Sequence, residues 1–291
     1  MTVRIVMDDA GDVPPELVHA HHFYIVPISV AFGTEEYLTG INIDRPGFYE
    51  KVKTVTNATF PKTSQPTPYQ FEEVYRRALA DGATELITVT VSERLSGTYA
   101  SAIAAAGELG DQATIHVFDS QSGSAAQGLM AAAASQLAGQ GVPSVQILDA
   151  LAAMRQQATI YLLIDSLDFA VRGGRVSSLQ SGVASLLSIK PVMTVADGLI
   201  VPAARVCTMG KALKRIVDET RAVVGDRRVN LAAVHANAPA AGAKLLEIAR
   251  PHFHIHGAYL LDLALSVAVN LGPGAVGLVT VPAPPALVAS Y

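Results

Sequence analysis

Ser96-Gly97-Thr98 is a place in this chain where residue type and spacing favour chemistry. The triplet follows an apolar run, Glu85 to Val91, and precedes a small-residue segment, Thr98 to Ala106, that suits a helix. A hydroxyl there stands at a helix N-terminus, where backbone N–H groups and the helix dipole favour an anion. The same place suits a nucleophile, but a catalytic serine needs a base and an acid to orient that base. The chain has no G-x-S-x-G elbow, and His235 is the one reasonable base, at the end of a second-half strand. Ser96 therefore reads as an anion-binding hydroxyl before it reads as a nucleophile; a plain N-cap is the third reading. The run Lys62-Thr63-Ser64-Gln65-Pro66-Thr67-Pro68 supplies more hydroxyls, pinned by two prolines. A pinned loop loses little entropy on binding. Thr63 and Ser64 are thus candidate donors to a carboxylate; the plainer reading is a capped loop.

Other patterns imitate sites. Gly272-Pro273-Gly274-Ala275-Val276-Gly277 matches G-x-G-x-x-G, yet Leu278-Val279-Thr280-Val281-Pro282 follows and reads as a strand. A dinucleotide motif must open a helix. His252, His254 and His256 alternate, so a strand would place them on one side. Three neutral imidazoles could hold zinc, but no acid or cysteine completes a recognised spacing, and a half-exposed strand explains them. Arg172-Gly173-Gly174-Arg175 sets two cations on a glycine-softened loop. It suits docking of an acidic partner, or a turn with solvated ends.

The elements that must position these residues alternate. Val3 to Met7 reads as a buried parallel strand, and Asp12 as the cap of a helix with Pro14 and Pro15 in its first turn. Tyr24 to Phe32 reads as a strand interrupted by Pro27. Thr67, Pro68 and Gln70 form a capping-box signature before Phe71, Val74, Tyr75, Ala78 and Leu79, which share a helical face. Ile115 to Phe118 is the next strand, and Ala-rich helices run to about Gln156. Strands alternating with helices predict a parallel sheet whose ligand loops follow the strands' C-terminal ends. Those loops are Asp8 to Pro14, Ser92 to Thr98 and Asp119 to Gly123. From about residue 158 the pattern changes. Val192 to Val195 and Leu199 to Ala203 flank Asp197-Gly198 as a hairpin. Thr208 to Val223 is an amphipathic helix, and Ile160 to Ile164, Val229 to His235, His252 to Tyr259 and Val276 to Val281 are strands. The expectation is a parallel-sheet α/β N-terminal domain over residues 1–157 and a mixed α+β domain over 158–291.

Composition narrows the function. The 291 residues are 50% hydrophobic and 16% charged, enough apolar material for a sizeable core. Lys plus Arg is 21 and Asp plus Glu 25, a net charge of −4, so no basic excess exists for nucleic acid. A single cysteine, Cys207, excludes an internal disulfide framework. Acids follow Met7 at once, unlike a signal peptide. The apolar stretch Ala258 to Val281 is broken by Asp262, Asn270 and Gly272-Pro273-Gly274, unlike a membrane span. A cytoplasmic protein without metal or cofactor is expected.

The loops, taken in order, resemble the DegV family. The matching segments are Val6-Met7-Asp8 through Asp12-Val13-Pro14, Thr63-Ser64-Gln65-Pro66, Leu95-Ser96-Gly97-Thr98-Tyr99, Val117-Phe118-Asp119-Ser120, Arg172-Gly173-Gly174-Arg175, Ile189-Lys190-Pro191, Asp197-Gly198 and Gly272 to Leu278. The resemblance implies a two-domain α/β fold that buries a long-chain fatty acid. It implies a non-catalytic role, as the binding subunit (FakB) that presents the carboxylate to a separate ATP-binding subunit of bacterial fatty acid kinase; transient membrane contact fits that role. By the same resemblance the carboxylate ligands are Thr63, Ser64, Ser96, Gly97 and Thr98, with Asn270 and Arg205 beside them; the charges of Arg172 and Arg175 suit docking of the partner subunit, or equally a structural turn with solvated ends. Arg205 is equally well read as a surface charge. Two departures stand out. Met7-Asp8-Asp9 replaces the family's usual Thr-Asp-Ser, and Asn270 stands where a histidine is frequent. Asparagine cannot become a cation, so a weaker or differently oriented head group is expected. The small side chains of Gly128 to Leu137 and Ala150 to Met154 either leave room for the acyl chain or pack closely. The competing functions are a lipid carrier or sensor with no kinase role, and a serine hydrolase using Ser96.

Overall fold

The computed structural model describes residues 2–20, 23–165, 167–176 and 189–284. In chain order the elements are β1 (Val3–Asp8), α1 (Pro15–Ala20), β2 (Phe23–Val26), β3 (Ser29–Phe32), β4 (Glu35–Leu38), α2 (Arg45–Val52), β5 (Pro61–Ser64), α3 (Pro68–Ala80), β6 (Glu85–Thr90), α4 (Thr98–Leu109), β7 (Thr114–Asp119), α5 (Ser124–Gly139) and α6 (Ser144–Gln157). There follow β8 (Thr159–Leu163), α7 (Leu167–Gly173), β9 (Lys190–Ala196), β10 (Leu199–Val206), α8 (Met209–Val224), β11 (Arg228–His235), α9 (Pro239–Ala249), β12 (His254–Asp262), α10 (Leu265–Leu271) and β13 (Val276–Pro282).

The first sheet has the order β2-β1-β6-β7 and is parallel throughout. The second, β10-β9-β8-β13-β11-β12, is mixed: β11 and β12 run parallel and the other pairs antiparallel. The α/β class with one parallel and one mixed sheet is therefore as expected, and each of these sheets draws its strands from one side of residue 158. A small antiparallel sheet, β4-β3-β5, was not foreseen. Pro27 is the reason Tyr24 to Phe32 does not form one strand. It cannot donate to a ladder, and the chain leaves the first sheet at Val26 and enters the small one at Ser29.

Helix α5 lies between the two large sheets, against β1 and β6 on one side and β11 and β13 on the other. It is buried over almost its whole length, and its residues belong to one core with Met7, Leu162 and Val279. Its alanines fit this position because a helix clasped by two sheets has little room for larger side chains. Of the two readings of the Ala-rich helices, close packing is the one realised. Asp12 is a correction. It does not cap α1; its carboxylate accepts a 2.6 Å hydrogen bond from Ser124 Oγ and faces Arg45 Nη2 at 3.6 Å. Gly272 and Gly274 turn α10 into β13 at φ values of 79° and 87°, so the glycine motif leads into a strand and opens no helix. His252, His254 and His256 are exposed, and no three metal-binding side chains cluster among the described residues. Among the described residues no helix is long and apolar enough to cross a membrane.

Candidate functional site: a polar mouth on an aliphatic slot

The site is built at the C-terminal ends of β1, β6 and β7, where a parallel sheet brings its loops together. Asp8 holds these ends. Its fully buried carboxylate accepts from Ala10 N at 3.0 Å, Val91 N at 2.8 Å and Gln127 Nε2 at 3.0 Å. Burial outweighs these three donors and pushes the carboxyl up to about 6. The loop after β6 then receives the β9–β10 hairpin. Ser92 Oγ donates to Gly198 O at 2.8 Å, and Arg94 Nη1 to Asp197 O at 3.3 Å. Gly198 is required there: its φ is 76°, and a Cβ would lie 2.5 Å from Ser92 Oγ.

Under this clasp lies a cavity of about 680 Å³, within the range of small-molecule sites. Thr63, Ser64, Ser96, Gly97, Asn270 and Arg175 line it, together with Ile28, Val91 and Leu95. Loops 32 or more residues apart in sequence thus converge on one wall. The residue that joins them is Gln65, whose Oε1 accepts from Gly97 N at 3.1 Å. Sequence reasoning gave Gln65 no role, although it sits inside the quoted Thr-Ser-Gln-Pro segment. The N-cap of α4 is Gly97, with no side-chain cap. Ser96 Oγ lies 2.8 Å from Thr98 Oγ1 and accepts from Thr98 N at 3.3 Å. Thr98 is buried behind Ser96 and does not line the cavity.

A second, narrow cavity of about 80 Å³ continues from the first and shares Val91, Leu95, Ile200, Val267 and Leu271 with it. It runs between the two halves of the molecule past Ile160, Leu162 and Val234, and its walls are aliphatic apart from Ser124 and two glycines. The alanines of Gly128 to Leu137 and Ala150 to Met154 do not line it. The combination is a polar mouth opening on an apolar slot.

The other singled-out residues lie around or away from this site. Arg205 is exposed on β10, opposite Pro191, and lines neither cavity. Arg172 pairs with Asp168 at 2.8 Å and stacks 4.7 Å over Phe60. Arg175 lines the mouth and donates to Gly173 O at 2.7 Å. His235 lies 3.3 Å from Asp262 and lines neither cavity; among the described residues no histidine lines the mouth. Asp9 is directed into two other grooves beside Thr39, where burial raises its carboxyl. Its substitution for the family's serine therefore adds no charge to the mouth. Asn270 does line the mouth, with Nδ2 donating to Ser266 O at 2.8 Å.

A model of the DegV family, described as uncharacterised proteins of that family, matches residues 2–283. The chain belongs to the DegV family. Protein DegV of Bacillus subtilis is 32% identical over 285 residues, which cover 96% of this chain and 98% of that protein. Among solved structures of the family, a fatty-acid-binding DegV protein of Thermus thermophilus superimposes with a TM-score of 0.89 at 29% identity, covering 97% of this chain and 100% of that one. The structure of DegV from Bacillus subtilis, a fatty-acid-binding protein, gives a TM-score of 0.86 at 30% identity over 97% and 100%. A stearic-acid-binding protein of Eubacterium ventriosum gives 0.88 at 25% identity over 96% and 98%. The DegV motifs seen in the sequence thus lie on the DegV fold: the segments holding Ala10, Thr63, Ser96 and Arg175 line the mouth, and the Gly272 to Leu278 segment lines the slot.

Proposed function

We propose that this DegV protein binds a long-chain fatty acid and presents its carboxylate to a separate ATP-dependent kinase subunit for acyl phosphate formation. The observation that carries the binding reading is the mouth itself: hydroxyls of Thr63, Ser64 and Ser96 stand where the aliphatic slot begins. A carboxylate accepts from hydroxyls and is drawn to Arg175, while each methylene that enters the slot is worth about 0.8 kcal/mol. The fatty-acid-binding relatives of like fold support the same ligand. Ser64 and Arg175 are exposed at the mouth, so a bound carboxylate is within reach of a partner; Arg175 offers that partner a cation there, with Arg172 beside it held by Asp168, and with Glu93 on the same rim. The role is a binding one, without cofactor, in the cytoplasm. A lipid carrier or sensor would use the same pocket. The hydrolase reading finds no support at the mouth: among the described residues no histidine lines it, and His235 lies at neither cavity.

Titration of the delipidated protein with palmitate tests the head group. The double variant Ser96→Ala with Thr63→Ala is expected to lose a few kcal/mol of affinity, since a partly buried carboxylate loses two of its donors. Unchanged affinity in the folded variant would refute this assignment. ATP-dependent formation of acyl phosphate on addition of a fatty acid kinase subunit tests the presentation role; its absence with bound lipid present would favour the carrier.

A further inference from the structure

Gln65 reaches the mouth from a backbone held on both sides. Ser64 before it closes β5, paired with Ser29, and Pro66 and the α3 cap Thr67 follow. From this base the side chain crosses to the other donor loop, 32 residues on, where Oε1 accepts from Gly97 N at 3.1 Å. Nε2 lies 3.5 Å from Ser101 Oγ, one turn further along α4. Gly97 is the N-cap of α4, so Gln65 does from a distant loop what the Glu or Gln of a capping box does locally. Among the described residues no other hydrogen bond joins residues 61–66 to residues 92–97.

The glycine at position 97 answers to this contact. Its φ is −72°, a negative value that any residue adopts, so no turn demands glycine there. A Cβ would instead stand 2.3 Å from Gln65 Oε1, 2.4 Å from Nε2 and 2.6 Å from Cδ. The three nearest atoms all belong to one amide, and the missing side chain is the space in which that amide lies. With Gly97 N–H spent on Gln65, hydroxyls stand on either side of the link: Thr63 and Ser64 on one loop, Ser96 on the other.

We propose that Gln65 is the positioning residue of the head-group site: by tying the Thr63-Ser64 loop to the Ser96 loop it sets their spacing, and through that spacing the mouth selects a carboxylate over a single-oxygen head group on the same chain. The proposal rests on the fatty-acid reading above. A carboxylate has two acceptor oxygens and engages both loops only when their separation matches its own. A hydroxyl head group has one oxygen and is served by either loop. Fixing the two loops in advance lowers the ordering cost for the two-oxygen ligand alone.

Titration of the delipidated protein with palmitate and with 1-hexadecanol tests this. Gln65→Ala is expected to weaken palmitate about tenfold and to leave hexadecanol within about threefold, since only the two-oxygen ligand senses the spacing. Gly97→Ala pushes the flexible amide aside with its Cβ and is expected to weaken palmitate by a similar factor. Both substitutions break one contact, so the double variant is expected to stay near a loss of about tenfold rather than about a hundredfold. Unchanged palmitate affinity in folded Gln65→Ala overturns the proposal, as does equal weakening of both ligands or a fully additive loss in the double variant. Tighter palmitate binding by Gln65→Ala, the result if the carboxylate takes over a freed N–H at the start of α4, also overturns it. Each of these outcomes leaves the fatty-acid reading standing, because the wild type still binds palmitate; a folded wild type that binds none overturns that reading itself.

Discussion

Asp12 shows what a single residue contributes when its contacts are long-range. Burial pushes its carboxyl from the ordinary 3.8 up to about 7, against the pull of Ser124 and Arg45. Between about pH 4 and pH 7 the folded state therefore holds a proton that the unfolded chain has released. Stability from this group is present at low pH and falls as pH rises through that window. Asp12→Asn keeps an acceptor for Ser124 and is expected to flatten the decline; Asp8, raised to about 6, leaves a smaller slope behind. Urea midpoints of the two proteins at about pH 5 and pH 8 check it, and a parallel decline in both would contradict the assignment. Ser96 and Thr63 were legible in the sequence because their type and flanking elements already favour an anion. Asp12 was misread because the sequence offered a nearby helix to cap, whereas its partner Ser124 lies 112 residues away.

At the scale of elements, local rules were obeyed where local chemistry decides. Thr67 accepts from Gln70 N, and the Gln70 side chain returns to Thr67 N at 2.8 Å, so the capping box of α3 is complete. Thr67→Ala is expected to cost about 1 kcal/mol, read as a shift in thermal or urea unfolding with no change in lipid binding. The Asp197-Gly198 hairpin was equally legible, but its clasp on Ser92 was not, because nothing in a turn signal names the turn's partner. Gly198→Ala combines a left-handed φ with a contact to Ser92 Oγ. It is expected to destabilise by about 1–3 kcal/mol and to weaken fatty-acid binding, since Ile200 beside it lines both mouth and slot. Loss of stability with unchanged ligand affinity would separate the clasp from the pocket. The small β4-β3-β5 sheet and the short α10 escaped the sequence for a physical reason. Their runs are four and seven residues long, too short for either periodicity to declare itself.

On the scale of the whole molecule, the slot exists because two sheets share α5 and leave a seam where the hairpin and α10 meet the ends of the first sheet. Its walls come from both halves: Val91 and Leu95 before residue 158, and Ile160, Leu162, Val234 and Val267 after it. No local pattern encodes such a seam. The small-residue helices could have left space or packed closely, and composition does not separate the two; α5 is tight packing between the sheets. What the sequence did supply was the set of loops at the seam, in an order shared with a family, and the fold then joined them to an aliphatic interior. The most direct test of the fatty-acid claim is mass spectrometry of lipid released by denaturing the purified protein. The structure predicts a long-chain fatty acid at close to one per chain. Folded protein that yields no fatty acid, and takes up none when palmitate is supplied, would contradict the account.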